Sequence, residues 1–456
     1  MCIHHLAAHR HTHRQRTQNQ GQSSLRDSRI PGIGNGGYDA QHYDASLTVK
    51  KDGALDARSV MTAVATQPLD QLNLDFVGFE IEKVLVNGKE TRFSREKEEL
   101  VVQTGATIAP GQTFTVDVKY DGQPQPFPSQ HAPVELGWNR FEGGSFVVSE
   151  PDGTRSWLPV NDHPTDKASY SFHINVPKPK MAAANGELTK IEEHDDSRTF
   201  HFEARDPMAS YLATVHVGDY VTREGKAADG TPIRNYFPPD IAKQAEHDFG
   251  RVPEMMAFFS EKFGKYPFEV YGNIVMDARL GAALETQTLP LYDRTMVDGR
   301  RGYESVLVHE LAHQWFGNAV SPSDWKDIWL NEGLASYGEA LWAEHTGGPK
   351  ALSRKLKSAE AQVRLRGARE PIGEPRPDGL FDTKIYQGGL LAVHALRREL
   401  GDEAFFETLR TYGQRHHDST ASTQDLMAVA SEVAGRDLKP FFDKWIYSET
   451  LPPVPA

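Results

Sequence analysis

The chain has 456 residues, 63 of them acidic and 50 basic, for a formal net charge of −13. That length suits two to four domains at roughly 100–200 residues each, and no apolar run approaches the ~18 residues of a membrane span. An acidic chain repels phosphate backbones, which argues against nucleic-acid binding; a single cysteine, Cys2, excludes intramolecular disulfides and leaves any metal site to His, Asp and Glu.

Residues 1–30 read as a disordered tail. His4, His5, His9, His11 and His13 stand among Arg10, Arg14 and Arg16, and a Gln/Ser stretch follows, so there is little to bury. It holds no apolar core of about 7–15 residues such as a signal peptide carries, which favours the cytoplasm.

Residues 31–236 alternate with period two. Leu47 and Val49, then Leu72, Leu74 and Phe76, then Phe114, Val116 and Val118, then Tyr170, Phe172, Ile174 and Val176 mark strands with one buried face. Val86-Asn87-Gly88, Asp121-Gly122 and Asn185-Gly186 supply turn signals. The stretch is expected to form an antiparallel β-rich domain, with a boundary near Pro238-Pro239.

Residues 237–452 change period, and helices are expected over 241–264 (interrupted at Pro253), 305–315, 331–345, 386–400, 402–412 and 422–434. Ser422 with Asp425 fits a capping box. Residues 268–292 look strand-like. The fold class is therefore α+β, a β-rich domain followed by a mostly helical one.

The motif that carries chemistry is His309-Glu310-Leu311-Ala312-His313. Positions four apart share one helix face, so both imidazoles can reach one ion, and the glutamate beside them can act on a water as general base. The alternative is two surface histidines on an amphipathic helix. Glu332, 19 residues after His313, lies in Trp329-Leu330-Asn331-Glu332-Gly333 on the next helix. Catalytic zinc takes three protein ligands and an open position, and two His with one Glu is an established set. The alternative for Glu332 is a first-turn carboxylate favoured by the helix dipole.

His309 through Gly317, together with Trp329 through Gly333, resembles the M1 family of gluzincin aminopeptidases. Glu150-Pro151 through Arg155, Pro159, Asp162 and Pro164 is similar to the end of that family's N-terminal domain. Gly281-Ala282-Ala283-Leu284-Glu285-Thr286 stands where the family has Gly-Ala-Met-Glu-Asn, and Tyr386-Gln387-Gly388-Gly389 where it has Tyr-x-Lys-Gly. The resemblance runs from about Tyr38 to Pro452. It implies a thermolysin-like catalytic domain, one Zn²⁺ per chain on His309, His313 and Glu332, and Glu310 as general base and then acid. It further implies Tyr386 as a donor to the oxyanion, Glu285 and Glu150 as receptors for the substrate's terminal ammonium, and backbone at Ala282 and Ala283 holding the peptide extended. The substrates would be peptides with a free N-terminus.

The chain departs from the pattern at Leu284, Thr286 and Gly388, and it ends soon after Phe441-Phe442-Asp443-Lys444-Trp445, where many members continue into a helical domain. Three other readings compete: a thermolysin-like endopeptidase, the epoxide-hydrolysing branch of the family, and a non-catalytic zinc-stabilised peptide-binding protein. Residue preference and oligomeric state leave no mark in the sequence.

Overall fold

A computed structural model describes residues 19–366 and 370–455. The alternating residues do face inward: Leu47, Leu72, Leu74, Phe76, Val116, Tyr170, Phe172, Ile174 and Val176 are all at most 1% exposed. They line an eight-stranded sheet whose order is Glu187–Glu193, Ser197–Met208, Ala168–Pro177, Tyr38–Val49, Leu55–Ala65, Thr113–Gly122, Glu80–Val86 and Lys89–Glu90, and a three-stranded sheet that includes Leu69–Asp75. The eight-stranded sheet is antiparallel except for one central pair, Tyr38–Val49 with Ala168–Pro177, which run parallel. A third sheet, of four strands, holds Gly137–Phe141 and Gly144–Val148 beside Val215–Gly218 and Met181–Ala184.

Two boundary expectations change. The expected tail shrinks: residues 1–18 lie outside the described residues, but 19–30 are packed. Gln20 and Gln22 make β-bridges to Gln71 and Gly36, and Ile30 sits in the core. Asp27 accepts hydrogen bonds from the backbone N–H of Arg29, Ile30 and Trp325, tying this segment to the helical half. The break expected at 236 falls earlier, because Val221–Lys226 and Pro232–Phe237 pair into a five-stranded sheet with Tyr271–Met276, Leu291–Asp293 and Ala283–Leu284. Pro238-Pro239 therefore follows a strand of the second unit. Period two says that a strand exists, and it says nothing of which sheet receives it.

Asn87-Gly88 makes the hairpin turn, with both φ positive (51° and 75°). Asp121-Gly122 instead stays in its strand, paired with Asp56 and Leu55. Asn185-Gly186 carries the chain from one sheet to another.

The helices of the second unit are α1 (Ala242–Asp248), α2 (Val252–Phe263), α3 (Glu304–Ala312), α4 (Trp329–Arg366), α5 (Gly389–Leu400), α6 (Asp402–Arg415), α7 (Thr423–Ala434) and α8 (Lys439–Trp445). Pro253 opens α2 rather than interrupting it, since the first turn needs no N–H there. The Ser422–Asp425 capping box forms on α7. α4 runs past the expected end at 345 and breaks at Gly348-Pro349, where Gly348 has φ 67°. No described helix is long and apolar enough to cross a membrane. The core is continuous across the two units; Tyr211 meets Trp325 edge to face at 5.2 Å.

Candidate active site

α3 buries Leu307, Val308 and Leu311 against its neighbours, and this turns His309 and His313 toward α4. His313 caps the helix in α conformation, so the two rings remain one turn apart. Glu332 projects from the first turn of α4. His309 Nε2 and His313 Nε2 lie 3.0 Å apart, and Glu332 Oε2 is 3.1 Å from the first and 3.4 Å from the second. Ligands about 2.0–2.1 Å from a tetrahedral ion stand about 3.4 Å from one another, so the three atoms already outline one face of such a site.

The same centre collects the remaining carboxylates. Glu285, Glu310 and His313 offer atoms within 4.8 Å of one another, and so do Glu150, Glu285 and Glu332. All of these side chains are buried. Tyr386 stacks on His309, with ring centroids 5.9 Å apart and planes 20° from parallel. It sits in a wide turn, Lys384–Gly388, that runs into α5, rather than at an ordinary helix start. Ala283–Leu284 forms the edge strand of the five-stranded sheet, just ahead of Glu285.

The tertiary contacts that aim these groups were not apparent from the motifs. Gln314 Nε2 and Asn318 Nδ2 both donate to the carbonyl of Glu285, at 3.1 and 2.7 Å, fastening residue 285 to the end of α3. α4 and α5 cross with Gly333 against Gly389; a Cβ on Gly389 would lie 2.6 Å from Gly333 Cα. That closeness brings Glu332 and Tyr386 to one centre. Glu339 is a further member that the sequence reading missed. Its Oε1 is 3.0 Å from His309 Nδ1, and its Oε2 accepts from Lys355 Nζ at 2.5 Å. His313 Nδ1 meets the carbonyl of Phe316 at 3.0 Å. Such partners fix the ring tautomer that leaves each Nε2 free for a metal. The only sequence signal for Glu339 was its place two helical turns beyond Glu332; Lys355 comes from beyond the break at Gly348.

The electrostatics point to missing positive charge. Burial pushes Glu310 up to about 8, against the pull of His309 and His313 and with help from Glu285 and Glu332. Burial also raises Glu150 well above the carboxylate range, with Glu285 the next cause, and raises Glu285. Glu332 goes the other way: despite burial, His313 and His309 hold it down at about 2. Burial and the surrounding carboxylates keep the Tyr386 phenol protonated. Glu150 Oε1 and Glu285 Oε1 are buried with no hydrogen-bond partner among the described residues. Buried acceptors left empty are costly, and here they stand beside a triad shaped for a dication. The donor set therefore fits zinc.

Two family models match the chain: the peptidase M1 N-terminal domain over residues 39–212 and the peptidase family M1 domain over residues 247–445. An M1 zinc metallopeptidase from Deinococcus radiodurans, a mutant solved with a Tyr-Ser-Ala substrate, superposes with a TM-score of 0.86 at 33% identity, covering 95% of this chain and 100% of that one.

The chain belongs to the M1 peptidase family.

It folds as two units of that family, a β-rich one and a helical one. Among curated relatives it is similar to aminopeptidase M1-B of Oryza sativa (28% identity) and aminopeptidase N of Lactococcus lactis (27%), over 67% and 66% of this chain. It spans only 37% and 38% of the length of those two proteins.

Proposed function

We propose that this M1 peptidase is an aminopeptidase that removes N-terminal residues from peptides, with one zinc ion per chain. The observation that carries the reading is the pair of unpartnered carboxylate oxygens, on Glu150 and Glu285, beside the His309–His313–Glu332 triad. An ammonium is the group that satisfies two buried carboxylates by charge-assisted hydrogen bonds. The three candidate metal groupings share residues and form one centre, which is why a single ion is assigned. The Deinococcus relative, bound to a tripeptide, supports peptides as the substrate class.

His309, His313 and Glu332 would hold the zinc, which when bound acts as a Lewis acid toward the scissile carbonyl and makes water acidic near neutral pH. Glu150 and Glu285 take the substrate ammonium and set the distance from the chain end to the bond cleaved. The outer edge of Ala283–Leu284 has no strand partner among the described residues, so backbone at Ala282 and Ala283 can pair with an extended peptide. Glu310 accepts the proton of the attacking water at a carboxylate oxygen and returns it to the departing amine. Tyr386, held as a phenol, donates to the carbonyl oxygen as negative charge develops. Glu339 and Lys355 keep His309 oriented.

An endopeptidase leaves the two buried carboxylates facing an uncharged backbone, and a mere binding protein gives Glu310 and Tyr386 no task. The test compares aminoacyl anilides with their N-acetylated forms. Turnover of the free amines alone is expected, lost to a chelator and restored by zinc. Equal turnover of both forms would overturn the proposal, and elemental analysis checks the single zinc.

A further inference from the structure

The loop that leaves α3, residues 316–319, is held at every carbonyl. A helix end leaves its last carbonyls without partners inside the helix, so donors must come from elsewhere. Phe316 O meets His313 Nδ1 at 3.0 Å, and Gly317 O accepts from the Tyr211 hydroxyl at 3.0 Å. Asn318 O and Ala319 O both accept from Lys167 Nζ, at 2.7 and 3.0 Å. Tyr211 and Lys167 belong to the β-rich unit, 106 and 151 residues away from the carbonyls of 317 and 318.

The same loop holds the segment that carries Glu285. Asn318 is fully buried; its N–H goes to the His313 carbonyl at 3.0 Å, and its Nδ2 donates to the Glu285 carbonyl at 2.7 Å. The segment after Glu285 does not set its own course. Thr288 has a positive φ of 64°, which is costly for a β-branched residue and persists only where the surroundings impose it. Here they do: its N–H donates to Gln314 Oε1 at 2.9 Å, and its hydroxyl accepts from Gly186 N at 2.8 Å. Residues 285–288 are thus aimed by clamps from outside, and Asn318 is the clamp nearest the carboxylate of Glu285.

Lys167 suits the task of holding Asn318 better than that of an ion-pair partner. It makes no ion pair among the described residues, and both of its hydrogen bonds go to this loop. Burial draws its ammonium down to about 7, with Asp418 opposing. One nitrogen with several N–H groups can reach two successive carbonyls at once, which no apolar side chain can do.

We infer that Lys167 is a positioning residue for the ammonium receptor: by fixing the backbone of Asn318 it sets where the Glu285 carboxylate stands relative to His309, His313 and Glu332. This rests on Glu285 being the receptor that the aminopeptidase reading makes it. Two ligands isolate the ammonium. Leucine hydroxamate and its des-amino analogue share the metal-binding group and the side chain and differ only in the amine. Their affinity ratio, read by calorimetry on the full-length zinc-loaded protein, reports the receptor, and in the wild type the amine form should bind more tightly. Lys167→Met should shrink that ratio roughly tenfold, the worth of one misplaced charge-assisted contact, with zinc retained by elemental analysis. Lys167→Gln keeps a polar end and replaces the Met variant if that one does not fold. Lys167→Arg, which can also donate to two carbonyls, should keep most of the ratio. Asn318→Ala should shrink the ratio as Lys167→Met does, and the two together should shrink it no further, because they act in one chain of contacts. A merely structural lysine would lower Tm and leave the ratio as in the wild type; that result, or effects that multiply in the double variant, would overturn the role of Lys167. A wild type that binds both ligands equally would overturn the aminopeptidase reading and this role with it.

Discussion

Buried carboxylates gather in two regions of this molecule, and they are satisfied differently. In most of the β-rich unit they are capped by the protein itself. Asp162 accepts from Arg155 N at 3.0 Å and from Ser210 Oγ at 2.6 Å, and Asp27 accepts from three backbone N–H groups. Asp166 accepts from Ala40 N at 3.0 Å and from the Asn161 amide. Arg155, buried at 4% exposure, pairs with Asp152 at 2.7 Å and Glu98 at 3.0 Å. Beside His309, His313 and Glu332, Glu150 and Glu285 each keep an oxygen with no partner among the described residues. The capped carboxylates tie parts of the fold together, whereas Glu150 and Glu285 leave acceptors open beside the His309–His313–Glu332 triad. Asp75 Oδ1 and Asp327 Oδ2 also lack a partner among the described residues; burial raises both carboxyls, and at Asp75 the neighbouring Glu99 adds to the rise.

If the contrast is real, substitutions should divide cleanly into losses of rate and losses of stability. The largest expected effect is on rate. Glu310→Gln should lower kcat by ~10²–10⁴, the usual worth of a general base, while zinc content by elemental analysis and Tm hold. Tyr386→Phe should lower kcat by ~10²–10³ with little change in KM, because its hydrogen bond forms mainly in the transition state. Full activity in either variant would remove the role proposed for that residue.

Stability should fall instead when the capped set is cut. Asp162→Ala strands the Ser210 hydroxyl and the Arg155 N–H, which should cost ~1–3 kcal/mol in denaturant melts with kcat/KM unchanged. Gly389→Ala mixes the two classes. Its new methyl meets Gly333, so about 1–3 kcal/mol of overpacking should accompany a lower kcat as Glu332 and Tyr386 move apart.

The smallest effect is a pH slope. Burial raises Asp166 from 3.8 to about 8, with the Ala40 N–H and the Asn161 amide opposing and Asp39 adding to the rise. The folded state therefore holds this proton more tightly than the unfolded chain. Its contribution is whole below pH 3.8 and is lost as pH rises toward about 8, at no more than ~1.4 kcal/mol per pH unit. Asp166→Asn should flatten that part of the Tm–pH curve. An unchanged curve would show that the Asp166 proton contributes nothing to it.

Much of the centre was legible in the chain because its spacing is a property of single elements. His309 and His313 are one turn apart on any helix, and a period of two buries Tyr170 through Val176 in any covered sheet. Less legible were the ends of elements and their neighbours. Residues 19–30 look polar and loose, yet Asp27 and Ile30 find partners on other segments. The strand Pro232–Phe237 looks like the close of the first unit, yet it joins the sheet whose edge strand, Ala283–Leu284, leads into Glu285.

By itself, then, the sequence determined the His and Glu residues of α3 and α4 that meet at the centre, and the α+β order of the two units. Each follows from local periodicity and from a chain with no cysteine beyond Cys2. Tertiary structure alone decided that Glu150, from the β-rich unit, comes within reach of Glu332. It likewise placed Glu339 and Lys355 behind His309 and brought Gly333 onto Gly389. These are contacts between residues far apart in the chain, and no local period encodes them.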